Sequence, residues 1–189
     1  MAVAYSQNGV IVRNIETPYN VIGGRKYKTV IMPDGKEWLA ENLDFELSSD
    51  DKYYNNDEST YGWNGRKYGL LYSNDDCGAI YNYFSKFYPE WRLPTESDWN
   101  GLLSSVNNDA SKLKSTQYWP VPGTDDYGFN AMPSGFYDIA SGFYADYFVV
   151  YIIRQSGRTY LFNIYDSVAE ITSWTTAVHT SIRLVRDAT

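Results

Sequence analysis

Trp91-Arg92-Leu93-Pro94-Thr95-Glu96-Ser97-Asp98-Trp99 is the stretch on which the reading of this chain turns. Pro94 stands directly before Thr95, and Asp98 follows three residues later. That is the pattern of a capping box, with Asp in place of the usual Glu. Trp99, Leu102, Leu103 and Val106 then recur at helical spacing. The spacing predicts a helix over 95–106 with one apolar face against a core. Just upstream, Ile80, Tyr83, Phe84 and Phe87 sit at i, i+3, i+4 and i+7, which predicts a second helix over 79–88 with those four on its buried face.

Outward from this pair the pattern changes to strands. Lys28–Met32 and Glu37–Ala40 flank Pro33-Asp34-Gly35, a hairpin signal in which Gly supplies positive φ. Residues 1–24 read as a lead-in, with a short strand at Val10-Ile11-Val12 and a turn at Gly23-Gly24; residues 25–189 read as the domain. Residues 44–68, rich in Asp, Asn, Tyr and Gly, read as a long ordered loop. Downstream, Phe143–Ile153, Thr159–Tyr165, Val168–Thr172 and Ser181–Val185 read as strands of an antiparallel meander, with a loop at 173–180. A hairpin, two helices, long loops and a meander make an α+β fold.

Composition narrows the function classes. The 189 residues are 43% hydrophobic and 21% charged, enough for one domain with a proper core. With 16 basic and 23 acidic residues the formal charge is −7, and no basic cluster occurs. Nucleic acid is therefore not an expected partner, and the lack of a long apolar run argues against membrane insertion. The start of the chain does not read as a signal peptide. Aromatics are the unusual feature: 19 Tyr, 6 Trp and 8 Phe, together 17%. Tyr-rich surfaces suit recognition, although a core built from aromatics would give the same count.

Reactive chemistry has little to build on. The single Cys77 and single His179 lie far apart in sequence, so neither a disulfide nor a usual zinc site is expected. No Gly-x-Ser-x-Gly elbow and no phosphate loop is present. Acid clusters such as Asp50-Asp51 and Asp125-Asp126 lack EF-hand spacing, which leaves a structural calcium open but names no ligand set. The expectation is no catalytic residue, no metal and no cofactor. A diverged enzyme using loop carboxylates, or a structural surface protein without a small ligand, stays as the alternative.

Five stretches in order carry a family resemblance. They are Asp34-Gly35-Lys36-Glu37-Trp38-Leu39-Ala40-Glu41-Asn42-Leu43, Gly69-Leu70-Leu71-Tyr72, Trp91-Arg92-Leu93-Pro94-Thr95 with Asp98-Trp99, Gly128-Phe129-Asn130-Ala131-Met132-Pro133-Ser134-Gly135, and Ser181-Ile182-Arg183-Leu184-Val185-Arg186-Asp187. Together they resemble the Fibrobacter succinogenes major paralogous domain family, from about residue 27 to 187. The resemblance implies a C-type-lectin-like fold of the formylglycine-generating-enzyme-like branch. It implies two helices packed on antiparallel strands, and a place on a bacterial surface or phage particle. Some similar proteins are variable targets of diversity-generating retroelements, diversified just before the closing strand. Two departures fall there: Tyr147-Phe148-Val149-Val150-Tyr151 replaces an aromatic followed by Trp-Ser-Ser, and His179-Thr180 replaces Gly-Phe. The catalytic cysteines of the formylglycine-generating branch have no counterpart.

Residue chemistry and resemblance converge on a ligand-binding module that recognises a protein or glycan on a cell surface, with its oligomeric state open. Its expected location is extracellular, as a phage virion component or bacterial surface protein. The candidate binding residues are Val149, Tyr151, Ile152, Arg154, Arg158, Tyr160, Asn163, Tyr165, Ser173, Trp174, Thr175, Thr176 and His179. Tyr, Trp and Arg dominate binding hot spots. The competing reading makes 149–153 a strand buried on both faces. Trp38, Trp91 and Trp99 are expected in the core, and Arg92 is expected to pair with Glu41.

Overall fold

The computed structural model describes residues 4–7, 10–13, 19–48, 52–53, 68–73, 77–144, 147–153, 160–165, 168–173 and 178–188. Near the N-terminus β1 (Ala4–Gln7) pairs with β2 (Val10–Arg13). Then β3 (Tyr19–Ile22), β4 (Arg25–Ile31) and β5 (Lys36–Leu39) form consecutive antiparallel hairpins. The turn between β4 and β5 closes as its residues dictate. Gly35 adopts φ +79°, its N–H donates to Met32 O at 2.9 Å, and Asp34 accepts from Lys36 N at 2.9 Å.

The boundary expected at residue 24 is corrected here. Tyr19–Ile22 pairs along β4, and Ile22 is fully buried in the core, so the lead-in ends before Tyr19. The long loop expected over 44–68 also needs amendment: Lys52–Tyr53 (β6) pairs with β7 (Leu70–Ser73). Gly69, in front of β7, has φ +74°, and a Cβ there would lie 2.6 Å from Leu43 O and 2.7 Å from Asn42 Cβ. Only glycine permits that approach.

The helices are α1 (Cys77–Phe87) and α2 (Glu96–Ser105). The capping box at α2 is complete: Asp98 N donates to Thr95 Oγ1 at 3.2 Å and Thr95 N donates to Asp98 Oδ2 at 2.7 Å. Trp99, Leu102, Leu103 and Val106 are all buried. On α1, Ile80 and Phe84 are buried and Tyr83 is half-buried, but Phe87 is 55% exposed. Phe87 closes the helix and leans on the Tyr83 ring, 4.9 Å away, instead of entering the core. A 3-10 turn, Ala110–Lys112, follows α2.

The remaining strands are β8 (Phe136–Asp138), β9 (Gly142–Tyr144), β10 (Phe148–Ile153), β11 (Tyr160–Tyr165), β12 (Val168–Ser173), β13 (Val178–Thr180) and β14 (Val185–Asp187). Among the described residues the sheets run β14-β5-β4-β3, β6-β7-β13-β8-β9 and β10-β11-β12, each antiparallel between neighbours. Isolated parallel bridges, Gly135 to Val149 and Tyr151 to Ser181, tie β10 to the segments around it. The architecture is α+β with two helices and mostly antiparallel strands.

Two apolar clusters lie on either side of β10. Val149, Tyr151 and Ile153 join Trp38, Trp99, Leu102, Phe129 and Val185. Ile152 joins Ile80, Phe84, Trp91, Leu39, Ile182 and Leu184. Val150 packs with Val178 in a smaller group. A strand alternates its side chains between two faces, and here both faces are covered. The expected closing strand Ser181–Val185 is corrected as well. Pairing as a strand occupies Val178–Thr180, inside the expected loop, and resumes at Val185–Asp187. Between them the backbone is tied piecemeal, with Leu43 N donating to Ile182 O and Leu39 N to Leu184 O, both at 3.0 Å.

Candidate functional site

The deepest polar feature is the fully buried Arg183. Its Nε donates to Asn42 Oδ1 at 2.7 Å, Nη1 to Leu39 O at 2.8 Å and Phe129 O at 2.6 Å, and Nη2 to Asn130 O at 2.8 Å. The guanidinium carbon lies 4.8 Å from the Phe129 ring centre and 5.7 Å from that of Tyr151. Asn42 also accepts from Tyr151 Oη at 3.1 Å, and it donates to Tyr68 O at 2.8 Å. Burial lowers the Arg183 pKa from its ordinary value, opposed by the Tyr151 hydroxyl and the Glu41 and Asp125 carboxylates. Such a cation is tolerated because each of its three nitrogens donates to an acceptor, four hydrogen bonds in all. The network crosslinks β5, the 129–130 loop, β10 and the closing segment, and so fixes the scaffold beneath the surface.

A second anchor holds the start of α2. Arg92 meets Asp98 side-on, with Nη1 to Oδ2 at 2.5 Å and Nη2 to Oδ1 at 2.9 Å. Burial would raise the Asp98 pKa, but hydrogen bonds from Arg92 and from Thr95 hold it well below the usual carboxylate range. The expected Arg92–Glu41 pair does not form; Glu41 instead accepts from Lys28 N at 3.1 Å.

The expected binding residues divide sharply. Val149, Tyr151, Ile152 and His179 have at most 1% of their surface exposed, so these four are core residues and not surface contacts. For the three in β10 the reason is the cover on both faces. His179 lies in β13 between β7 and β8, with its ring edge-on to Tyr137 at 5.3 Å. Tyr165 and Ser173 are exposed. The backbones of Tyr160 and Asn163 lie in β11, and their side chains fall outside the described residues. Arg154, Arg158, Trp174, Thr175 and Thr176 fall outside them entirely.

What surrounds Tyr165 is an apolar groove of about 300 Å³, lined by Lys114, Trp119, Pro120, Val121, Tyr147 and Tyr165. Tyr147 is 57% and Val121 60% exposed, so apolar surface from two separate segments meets at one place. Trp119 is buried at the base, its Nε1 donating to Ala131 O at 2.8 Å, and Lys114 Nζ lies 4.7 Å from its ring centre. Tyr147 stands edge-on to Phe148 at 4.8 Å, and Phe148 is the register partner of Tyr165. Behind Phe148, Phe136 stacks on Tyr144 at 4.8 Å. The groove thus combines exposed aromatics with a buried, rigid floor. It suits contact with an apolar or ring-bearing group, because two tyrosines, a tryptophan, a proline and a valine make up most of its lining. The sequence reading missed Trp119-Pro120-Val121. Trp119 and Val121 interleaved with Pro120 and Pro122, with no helical or strand period to take them into a core, were the available signal.

Comparisons with family models, with curated proteins and with solved structures found no match to this chain.

Proposed function

We propose that this chain is a ligand-recognition module of the C-type-lectin-like class, displayed on a phage particle or bacterial surface. The observation that carries the reading is the pair of exposed tyrosines, Tyr147 and Tyr165, at the apolar groove. Tyr is a preferred hot-spot residue because it offers a large rigid contact and a polar tip. Support also comes from the floor: β10, which begins next to Tyr147 and pairs with β11, is tied into the buried network through Tyr151, and Trp119 is buried beneath the groove, so its outer side chains are free to change without loss of the core. The five family-like stretches agree with this division, since Trp38, Asn42, Tyr72, Trp91, Asp98, Trp99, Phe129 and Arg183 all lie in the buried framework. The recognition surface proposed here is the groove with the outer side of β11 and β12, and it replaces the buried residues of β10. Under the same proposal this surface is diversified by a retroelement. The gene would then differ from a nearby template repeat at adenines only, in codons for outward-facing residues.

The test is binding of the labelled protein to a panel of bacterial cells, read by flow cytometry. Tyr147→Ala with Tyr165→Ala should lower cell binding at least about tenfold while changing stability by no more than roughly 1 kcal/mol. Unchanged binding by the folded double variant would remove the groove from the recognition surface.

A further inference from the structure

The loop that supplies Trp119-Pro120-Val121 to the groove also walls a second cavity, of about 290 Å³, lined by Lys28, Glu41, Ser115, Thr116, Gln117, Tyr118, Asn130 and Met132. We propose that this cavity binds one neutral sugar ring, the terminal unit of a glycan, and that it does so independently of the groove.

The lining has the chemistry of such a ligand and not of an ion. Lys28 and Glu41 bring opposite charges to it, so the site offers no net field to select an anion or a cation. The rest is a mixture of hydroxyls, amides and one carboxylate. Among the described residues, the Thr116 hydroxyl and the side-chain amides of Gln117 and Asn130 make no hydrogen bond within the protein. Glu41 uses Oε2 to accept from Lys28 N at 3.1 Å, which leaves Oε1 open. Donors and acceptors are thus interleaved around one small volume, as the alternating hydroxyls of a pyranose require. Tyr118 and Met132 pack together and supply an apolar strip for the C–H face of the ring. The volume lies at the small end of small-molecule sites, which begin at roughly 300 Å³, and so fits one ring and not a chain of them.

The walls are built before any ligand arrives. Ser115 N donates to Ala131 O at 2.9 Å, Gly123 N to Ser115 O at 3.0 Å, and Ser115 Oγ to Gln117 O at 2.6 Å. Asn130 is held from two sides: its N donates to Asp125 Oδ1 at 2.7 Å, and its O accepts from the buried Arg183. Tyr118 and Asn130 also adopt φ +72° and +55°, in the left-handed region. For Tyr that conformation is costly, and residues held so concentrate at binding sites. The fold therefore holds Tyr118, at the wall of this cavity, in a strained backbone conformation.

The experiment is NMR titration of the full chain with the methyl glycosides of glucose, galactose, mannose and N-acetylglucosamine, with alanine as a zwitterionic control. At least one glycoside should bind in the millimolar range and shift the amides of residues 115–118 and 130–132. Thr116→Val with Gln117→Ala changes two exposed side chains, and should weaken that binding at least about tenfold without altering the melting temperature. Asn130→Gly, which keeps the left-handed backbone and removes only the amide, should weaken it as well. Ile139→Ser, an exposed change outside the lining, should leave it intact. The proposal is overturned if no glycoside shifts these amides up to tens of millimolar, if alanine binds and the glycosides do not, or if glycoside binding survives in the Thr116/Gln117 variant.

Discussion

Arg183 Nε donates to Asn42 Oδ1 at 2.7 Å across 141 residues of sequence, and both side chains are buried. The contact joins the segment after β5 to the segment before β14. It lies in the middle of a set of hydrogen bonds that also includes Leu39, Phe129, Asn130 and Tyr151. Removing either partner would leave buried polar atoms with neither protein nor water to satisfy them.

Arg183→Ala should therefore destabilise the protein by about 3–5 kcal/mol, the range for breaking a buried charged network. Arg183→Lys should recover only part of this, because an ammonium cannot reproduce the planar fork that serves four acceptors. Urea unfolding monitored by tryptophan fluorescence measures both. A loss below about 1 kcal/mol for the alanine variant would mean that the network contributes little beyond shape.

Asp98 combines the α2 cap with the side-on Arg92 pair, and its native pKa is depressed. A depressed acid contributes stability that is complete above the unfolded value, near about 4, and is lost as the pH falls through the native value. Asp98→Asn should cost on the order of 2 kcal/mol at neutral pH. The gap to the wild-type chain should narrow as the pH falls below about 4. A gap that stays constant with pH would assign the effect to shape and not to charge.

Asp125 behaves in the opposite way. Burial pushes its pKa up to about 6, against the lowering effects of the Asn130 N–H and of Arg183. The folded state then holds this proton more tightly than the unfolded state does. The contribution is unpenalised below about pH 4, where both forms are protonated, and stability is lost as the pH rises toward about 6. Asp125→Asn keeps an acceptor for Asn130 N, tolerates the φ of +47°, and cannot ionise. The variant should be the more stable protein at pH 7, with the difference opening between about pH 4 and 6. Melting temperatures measured across that interval decide it. Equal slopes for the two proteins would show that Asp125 is solvated.

Trp99 has no exposed surface and lies against Trp38 at 4.8 Å and Tyr151 at 5.3 Å. Trp99→Ala should cost about 3–5 kcal/mol, and Trp91→Ala, 1% exposed at the other cluster, a similar amount. If the two clusters on either side of β10 are separate, the double variant should show nearly additive losses. Strong non-additivity in chemical denaturation would mean that the clusters form one cooperative unit through that strand.

The amino-acid sequence alone determined the elements whose signals are local. Thr95 and Asp98 announce the start of α2 because a capping box is written within four residues. Asp34-Gly35 announces the β4–β5 turn because the required positive φ belongs to one residue. Trp99, Leu102, Leu103 and Val106 announce a buried face because the helix repeat gathers them. Only the tertiary structure decided what covers each face. Val149 to Ile153 is a continuous apolar run that allows burial on both faces, but nothing in its residues says that α2 closes one side and α1 the other. An arginine is ordinarily a surface residue, and the cost of burying Arg183 is met only by carbonyls and an amide from distant segments. The groove has the same origin: Trp119 and Val121 come from one loop and Tyr147 and Tyr165 from strand ends. Their proximity depends on long-range packing, which no local repeat encodes.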